Sequence, residues 1–436
     1  MKKSNSAIDK VGNAIRDQYP KISDSNYYQL QEVRTSFQKA VSETFIQLCF
    51  LTNSVHSLGI VSYRLKRLES IITKLDRYKT MRLSKMWDIG GCRCILKTEK
   101  QVYKLRNKIY KNLNVRDEKD YILQPQDEGY RSLHLFIECE DKKVIEVQLR
   151  SQKQHNWATL VEISDLLYDA GLKEFSRNKD LLKFHKLLAT PNKMSINDKK
   201  TITSILKKYD YYNKLNEVFL RNSPKVRSQW IKIKLEDNHQ YFILKTSKDE
   251  VPKILSFDSL DKAEVEYFKM FLNNTKSNIV LTHLRKPNFN QLSSAYSNYI
   301  LTYHSFINEW LVIYQDLIFN SIKQSEVRKF KYNFENYMNI TLNQINAIFS
   351  EVDFGIEIYQ KHSSKDSKIR KMFKYWQQDL NKVANRKGKE FQQFNQMLDN
   401  EIPYTSLAGR RMRSIRSKIS KEFTKKFEEL NRPKES

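Results

Sequence analysis

Two short apolar segments separated by a tight acidic turn constrain the fold of this chain most strongly. Residues 132–139 and 143–150 are rich in strand-forming side chains, and the turn between them predicts an antiparallel hairpin. Apolar residues recur at helical spacing in residues 102–113 and again in residues 152–168. This order of strand and helix patterns predicts an α+β domain that ends near residue 175.

Other segments extend this prediction in both directions. Residues 86–96, MWDIGGCRCIL, form a short apolar run with a glycine pair, which is typical of a buried strand. Residues 1–60 and 63–80 have helical spacing. Residues 229–246 alternate around Asp237-Asn238 and predict a further hairpin, followed by a helix over 260–273 and a strand over 278–282. From residue 292 onward the pattern is helical.

The composition restricts the class of protein and its compartment. Hydrophobic residues make up 40% of the 436 residues, which excludes wholesale disorder, and no apolar run approaches the roughly 18 residues of a membrane span. No apolar segment follows the basic N-terminal residues, so we expect a cytoplasmic protein without a secretory signal. The four cysteines form no CxxC pair and are expected to be free thiols.

The net charge of +27 predicts a partner that is a polyanion. Nucleotides, RNA, DNA and acidic membrane surfaces all fit this field, and a solvated basic surface without a specific partner is the plain alternative. Charge alone does not choose among these.

Basic side chains surround a serine in the segment YRLKRLESIITK. This segment is predicted to be a helix, on which Lys66, Ser70 and Lys74 lie on one face at intervals of four residues, with Arg64 nearby. Two ammonium groups flanking a hydroxyl predict a cradle for polyphosphate. An ordinary solvated helix face is the alternative.

Two carboxylates interrupt otherwise apolar strands. Asp88 falls within residues 86–96, and Glu146 falls within VIEVQLR, where alternation places Glu146, Gln148 and Arg150 on one face. Carboxylates from two strands can hold Mg²⁺ while substrate phosphates complete its coordination. A solvated sheet face with a cross-strand ion pair is the alternative.

The segment EGYRSLHL adds a ring and an imidazole just before a predicted strand. Tyr130 is placed to stack on a base and His134 to contact phosphate or ribose, while a core tyrosine and a hydrogen-bonded histidine are the structural alternatives. No Walker A loop, Rossmann fingerprint, HExxH, GxSxG or kinase motif set occurs in the chain, and no His-Asp dipeptide of the phosphohydrolase type.

Together these motifs resemble the synthetase domain of the RelA/SpoT alarmone synthetase family. The matching segments are YRLKRLESIITKL, MWDIGGCRCI, KDYILQPQDEGYRSLH, VIEVQLRS and QHNWATLVE, in the family's order. The resemblance implies a mixed-sheet, nucleotidyltransferase-like domain flanked by helices. It also implies transfer of the β,γ-pyrophosphate of ATP to a ribose 3′-hydroxyl, with Mg²⁺ as cofactor. GDP or GTP is the implied acceptor, giving (p)ppGpp-type alarmones.

Two other functions stay open. Toxin-like members of the family use adenine nucleotides or the 3′ end of tRNA as acceptor. A non-catalytic nucleic-acid-binding protein is the alternative from a different class, and the intact Asp88 and Glu146 count against it.

The resemblance also implies a role for each matching residue. Asp88 and Glu146 would hold Mg²⁺, and Glu146 would act as the base toward the 3′-hydroxyl. The residues that would bind the ATP phosphates are Arg64, Lys66, Ser70 and Lys74. The residues that would form the acceptor pocket are Tyr130, His134 and Gln148, with Arg93 and Arg150 in support. His155, Trp157 and Glu162 match the closing helix and would be structural.

The acceptor loop departs from the family pattern. Pro125 is followed by Gln126, Asp127 and Glu128, where many members have a lysine. Two acids would repel a 5′-diphosphate, so this loop favours an acceptor whose phosphates lie farther away, such as the terminal adenosine of tRNA. The basic composition also suits tRNA.

We predict four parts of the chain. These are an N-terminal helical segment (1–62), a RelA/SpoT-like pyrophosphokinase domain (63–176), an α+β extension with a β-hairpin (177–323) and a basic helical region (324–436). Residues 405–436 carry ten Lys or Arg against four Glu. A regulatory protein, an antitoxin or RNA acting on residues 177–436 is the implied partner, and no membrane partner is expected. Completion of the fold is the alternative role.

Overall fold

The computed structural model describes residues 4–172, 178–190, 193–234, 239–246, 250–272, 277–295, 305–362 and 367–431. The chain divides into two compact units. One unit comprises Met1–Glu162 and Glu236–Tyr299, and the other comprises Ile163–Leu235 and Ile300–Ser436. Every strand of the described residues belongs to the first unit.

The helices are α1 (Asn5–Gln18), α2 (Asp24–Thr35), α3 (Gln38–Val55), α4 (Leu68–Arg77), α5 (Glu99–Asn112), α6 (Gln152–Tyr168), α7 (Lys179–Leu188), α8 (Ile196–Lys208), α9 (Tyr211–Lys234), α10 (Leu260–Leu272), α11 (Phe289–Ala295), α12 (Ser305–Lys323), α13 (Val327–His362), α14 (Ser367–Glu401) and α15 (Leu407–Asn431). The strands are β1 (Ile60–Leu65), β2 (Gly90–Leu96), β3 (Val115–Asp120), β4 (Leu133–Glu138), β5 (Val144–Ser151), β6 (Tyr241–Thr246), β7 (Lys253–Phe257) and β8 (Asn278–His283).

The eight strands form one mixed sheet in the order β3-β4-β5-β2-β1-β8-β6-β7. Strands β2 and β5 are parallel, and every other described pair is antiparallel. The predicted hairpin is β4–β5, with His134 opposite Gln148 and Phe136 opposite Glu146. The α+β fold class with a mixed sheet is therefore confirmed.

One face of this sheet is apolar and closes the core of the first unit. Its buried side chains alternate along each strand and include Tyr63, Cys92, Leu135, Val147 and Leu281. Helices α3, α5 and α10 pack on this face, which removes apolar surface from water and drives the assembly. The polar residues that alternate with this set therefore lie on the opposite face.

The strands that follow residue 236 complete the same sheet. β8 pairs with β1, with Val61 opposite His283 and Tyr63 opposite Leu281. Residues 229–234, predicted to begin a hairpin, continue α9 instead, and Asp237-Asn238 lies outside the described residues. The hairpin is formed by β6 and β7. Short alternating runs are ambiguous between a strand and a helix end, which explains the misplaced start.

The sheet joins segments from both sides of the predicted boundary at residue 176. The four predicted parts of the chain stay predictions. In the second unit, helices α12, α13 and α15 bury large side chains that include Trp310, Phe330 and Met412. Among the described residues, no helix combines the length and apolar character that a membrane crossing needs.

Candidate active site

The polar face of the sheet forms the floor of a cleft. Glu146 on β5, Gly91 on β2 and Arg64 on β1 form one row, because Gly91 lies opposite both of the others. A Cβ atom at Gly91 would approach only the Glu146 backbone oxygen, at 3.6 Å, so this glycine leaves the floor open between the carboxylate and the guanidinium. A second row beside it contains Gln148, Arg93 and Ser62.

Asp88 lies beside this floor and binds two lysines. Lys66 Nζ donates to Asp88 Oδ2 at 2.7 Å, and Lys74 Nζ donates to the same oxygen at 2.9 Å. The predicted placement of two of these residues is corrected: Asp88 lies in the turn before β2, and Lys66 lies in the turn between β1 and α4. The predicted continuous helix is broken because residues up to Leu65 pair with β2, and Val61 to Tyr63 also pair with β8.

Backbone contacts hold the Lys66 turn in place. The Lys66 amide donates to the Ile89 carbonyl at 2.8 Å, which brings the turn beside Asp88. The Lys66 carbonyl accepts from Arg34 Nε at 2.8 Å, and Arg34 is itself buried, with its guanidinium 4.0 Å from the centre of the Phe271 ring. These two backbone hydrogen bonds fix the position of Lys66 beside Asp88.

The electrostatics of Asp88 suit a cation. Burial would raise the pKa of Asp88, but the charges of Lys66 and Lys74 outweigh burial and lower it, so the carboxylate is ionised at neutral pH. Asp88 Oδ1 is buried and has no hydrogen-bond partner in the described part of the chain. Buried polar atoms normally have partners, so this free oxygen fits a ligand position.

The donor set fits Mg²⁺ when substrate is present. Mg²⁺ in nucleotide sites binds one or two carboxylates and takes its other ligands from phosphates and water. Asp88 and Glu146 supply two carboxylates on one cleft. In the described residues, no group of three or more His, Cys, Asp or Glu side chains is placed to hold a metal, so the phosphates would supply the remaining ligands.

Glu146 begins a chain of hydrogen bonds that runs across β4. His134 Nδ1 lies 2.9 Å from Glu146 Oε1, and His134 Nε2 lies 2.8 Å from the Tyr130 hydroxyl. That hydroxyl accepts from Arg150 Nη2 at 2.6 Å. Gln148 Nε2 donates to Glu146 Oε2 at 3.1 Å. Both carboxylate oxygens are therefore held in one orientation.

The hydrogen-bonded pair of Glu146 and His134 stabilises the charged form of each group. Burial would raise the pKa of Glu146, but its hydrogen bond to His134 and the charge of His134 lower it. Burial would lower the pKa of His134, but Tyr130 and Glu146 raise it. Glu146 is thus ionised at neutral pH and paired with an imidazole that gains proton affinity.

Arg93, Gln148 and Arg150 form a second network on the floor. Arg93 Nε and Nη2 both donate to Gln148 Oε1 at 3.3 Å, and Arg150 Nη2 donates to the same oxygen at 3.0 Å. Burial, together with the charges of the neighbouring Arg150 and Arg64, lowers the pKa of Arg93 to about 9. Two guanidinium groups close together favour an anion over the floor.

Six of the eleven predicted site residues line one cleft: Arg64, Lys66, Asp88, Arg93, Glu146 and Gln148. Lys74, His134 and Arg150 do not line it but contact Asp88, Glu146 and Gln148, respectively. Ser70 lies one turn before Lys74 on α4 and is not among the described residues that line the cleft. Tyr130 lies beside Tyr121, His134 and Trp157, and its hydroxyl is occupied by His134 and Arg150. Glu162, which was expected to be structural, also lines the cleft. Further lining residues that no sequence motif had indicated are Ser62, Thr246, Asn278 and Val280. The last three belong to strands that no local motif links to β1.

Tyr130 gives a titration that can be measured. Burial would raise its pKa, but Arg150 and His134 lower it to about 8. The ultraviolet difference spectrum should therefore show one tyrosine that ionises near pH 8. This ionisation step should be absent from Tyr130→Phe. Tyr267→Phe should retain it, because burial raises the pKa of Tyr267 to about 12 and this residue does not contribute near pH 8. Because the folded-state pKa lies below the ordinary value of 10, Tyr130 contributes stability that is fully present above pH 10 and is lost as the pH falls through 8. A Tyr130 step centred at pH 10 or above would contradict this geometry.

Comparison with known proteins finds a family match over the segment that supplies most residues of this cleft. Residues 63–173 match the model of a family described as a region found in RelA / SpoT proteins. We refer to residues 63–173, the segment that this model matches, as the RelA/SpoT region. The predicted family resemblance is thus confirmed for this part of the chain.

Two curated proteins are similar to the RelA/SpoT region. Probable GTP diphosphokinase RSH2, chloroplastic, of Oryza sativa subsp. japonica is 39% identical over 105 residues, which cover 23% of this chain and 14% of that protein. GTP pyrophosphokinase YwaC of Bacillus subtilis is 34% identical over 125 residues, which cover 25% of this chain and 60% of that protein. The chain therefore spans less than two thirds of either relative.

A solved structure is also similar, the small alarmone synthetase 1 of Bacillus subtilis bound to its product pppGpp. It is 21% identical with a TM-score of 0.33, over 37% of this chain and 90% of that one.

Proposed function

We propose that the RelA/SpoT region is an ATP-dependent pyrophosphokinase that transfers the β,γ-pyrophosphate of ATP to the 3′-hydroxyl of a guanine nucleotide and releases AMP. The observation that carries the proposal is the pair of carboxylates with different partners. Asp88 is held by two lysines and keeps one free oxygen, whereas Glu146 is held by an imidazole and an amide. Asp88 therefore suits binding of a metal–phosphate complex, and Glu146 suits removal of a proton from the acceptor hydroxyl.

The arrangement supports in-line transfer between two bound substrates. Arg64 and Lys66 supply positive charge in the cleft where a triphosphate would lie, and Lys74 adds charge through its contact with Asp88. The gap at Gly91 separates Arg64 from Glu146. Asp88 and Glu146 would hold Mg²⁺, which when bound supplies positive charge against the charge on the transferred group. Glu146, ionised and fixed in orientation, would take the proton from the attacking 3′-hydroxyl.

Transfer to the 3′ end of tRNA is the second candidate, and two observations favour it. Asp127 and Glu128 lie exposed at the tip of the acceptor loop, where they would oppose a free 5′-diphosphate. In the second unit, α15 carries a basic stripe of exposed residues, Arg410, Arg411, Lys418, Lys421 and Lys425. At about 100° per residue these cations share one helix face, which would attract an RNA backbone.

A parallel assay with the purified chain tests both candidates. ATP labelled in the γ-phosphate is offered with Mg²⁺ and, separately, GDP, GTP, ATP and bulk tRNA. Label that moves to GDP or GTP supports the main proposal, and label that moves to tRNA replaces it with the second candidate. Absence of transfer to every acceptor, with ATP bound, would favour the non-catalytic alternative and overturn both.

The exposed acids of the acceptor loop give a further prediction. We expect the double substitution Asp127→Asn/Glu128→Gln to lower the KM for GDP about threefold at low salt, because exposed charges contribute up to about 1 kcal/mol. The effect should fade at high salt, and the KM for ATP should not change. Steady-state kinetics at two salt concentrations measure both values. Glu140→Gln, which removes an exposed acid from the β4–β5 turn, is the matched control. An unchanged KM for GDP would show that the acids point away from the acceptor.

A further inference from the structure

Helix α2 places a buried arginine against the turn that carries Lys66. The Arg34 side chain is 3% exposed, and its Nε donates to the Lys66 carbonyl at 2.8 Å. A second guanidinium nitrogen, Nη1, donates to the side-chain oxygen of Gln31 on the same helix. Arginine side chains are almost never fully buried unless their charge is satisfied. The contact with the Lys66 carbonyl thus belongs to the buried interior and is shielded from water.

Arg34 keeps its charge in this buried position. Burial lowers its pKa to about 10, so the guanidinium stays protonated at neutral pH. Its Cζ atom lies 4.0 Å from the centre of the Phe271 ring on α10, a distance at which a guanidinium is attracted to the face of a ring. Hydrogen bonds from a charged donor are shorter and stronger than those from a neutral donor. The hydrogen bond from Arg34 to the Lys66 carbonyl is therefore a strong one.

Helix α10 holds the preceding residue of the same turn. The Tyr267 hydroxyl accepts from the Leu65 amide at 3.0 Å, and Phe271, one turn further along α10, stacks on Tyr267 with the ring centres 5.9 Å apart. The Lys66 amide donates to the Ile89 carbonyl at 2.8 Å. Three separate segments thus form hydrogen bonds with the backbone of this turn, and two of them, α2 and α10, lie outside the RelA/SpoT region.

The Lys66 side chain depends on this backbone for its position. Lysine has a flexible four-carbon stem, so the place of its ammonium group follows from where its backbone is held and from the ion pair at its end. Lys66 lines the cleft, and its Nζ donates to Asp88 Oδ2 at 2.7 Å. Asp88 Oδ1, which has no hydrogen-bond partner among the described residues, belongs to the same carboxylate. A displaced Lys66 would therefore move both the ammonium group and the oxygen that the proposed function assigns to the metal–phosphate complex.

We infer that Arg34 is a positioning residue for pyrophosphoryl transfer, which holds the Lys66 backbone so that the Lys66 ammonium group and the Asp88 carboxylate keep their places in the phosphate site. The inference rests on the proposed function, since it takes these two groups as part of the site for the donor phosphates. It adds to that function a residue that precedes the RelA/SpoT region. A purely stabilising role of Arg34 in the core is the alternative.

A double-mutant cycle with Lys66 tests whether Arg34 acts through the lysine. Isothermal titration with Mg²⁺ and inorganic tripolyphosphate measures phosphate binding to the full chain. We expect Arg34→Met to weaken this binding about tenfold, because residues in direct contact are commonly coupled by about twofold to a hundredfold in an equilibrium. Methionine keeps apolar contact with the Phe271 ring but cannot donate to the carbonyl. In a Lys66→Met background, where the ammonium group is already absent, Arg34→Met should cause no further loss. Arg64 and Lys74 remain in that background, so binding stays measurable.

Further variants make the test specific. Arg34→Lys keeps a charged donor, so it should restore binding to within about threefold of the wild type. Lys39→Met removes the same charge from a side chain that is 77% exposed on α3, and it should leave binding unchanged. Urea unfolding of each variant shows that binding is measured on folded protein. Arg34→Gln, a polar and uncharged variant, takes the place of Arg34→Met in the cycle if the methionine variant does not fold.

The outcomes separate this inference from the proposed function. A loss of binding that disappears in the Lys66→Met background supports the positioning role. An equal loss in both backgrounds would overturn it, because Arg34 would then act on the fold and not through Lys66, while the proposed function would stand. An Arg34→Met variant that binds as tightly as the wild type would overturn it in the same way. A wild-type chain that binds no tripolyphosphate would overturn the phosphate site of the proposed function together with the inference.

Discussion

Glu146→Gln is expected to lower the rate of pyrophosphoryl transfer about 10³-fold while ATP binding persists, since a positioned general base contributes roughly 10² to 10⁴. The amide has nearly the same shape as the carboxylate and can still accept from His134, which lies 2.9 Å from Glu146 Oε1. It cannot accept a proton from a 3′-hydroxyl. The loss should therefore appear in kcat far more than in the KM for ATP.

The measurement is the initial rate with labelled ATP, paired with titration of an ATP analogue. Glu138→Gln is the matched control, because Glu138 ends β4 in the same hairpin but pairs with Arg116 and Lys142 and does not line the cleft. The control should keep nearly the full rate. If Glu146→Gln kept more than about a tenth of the wild-type rate, Glu146 would not be the base.

Tyr267→Ala is expected to destabilise the first unit by about 3–5 kcal/mol, the usual cost of deleting a large buried ring. Tyr267 is 0% exposed and packs against the rings of Tyr63, Phe268 and Phe271. Its hydroxyl also accepts from the Leu65 amide, directly before the Lys66 turn. Loss of the side chain should therefore reduce ATP affinity as well as stability.

Urea unfolding measures the stability, and two further variants separate the causes. Tyr267→Phe keeps the ring and leaves the Leu65 amide without its acceptor, so a loss of about 1–3 kcal/mol is expected. Val265→Ala, at a side chain 72% exposed on the same helix, should change stability by less than about 0.5 kcal/mol. A loss below about 1 kcal/mol for Tyr267→Ala would show that α10 is not part of the cooperative core.

Local patterns predicted the hairpin and its polar face correctly. The alternation in VIEVQLR placed Glu146, Gln148 and Arg150 on one side, and hydrogen bonds now join these residues on the cleft floor. Such patterns are reliable because side chains alternate strictly along a strand and only one face of this sheet is apolar. The helices α5, α6 and α10 were also predicted close to their observed bounds.

Positions fixed by pairing with distant strands were harder to predict. Lys66 was assigned to a helix, yet it occupies a turn because β1 pairs with β2 and β8. The Lys66–Asp88 and Lys74–Asp88 contacts nevertheless join residues that the sequence had selected. The charges of Lys66, Lys74 and Asp88 follow from the residue types, whereas the positions of these side chains depend on where β1 ends.

The sequence by itself determined the α+β class, the RelA/SpoT region and the residue types that bear the proposed chemistry. These follow from periodicity and from motifs in a fixed order, both of which are local properties of the chain. Only the tertiary structure decided that β8 and β6 extend the sheet beside β1 and bring Asn278 to the cleft. That pairing joins segments about two hundred residues apart, and hydrogen bonds between distant strands leave no local signature in either segment.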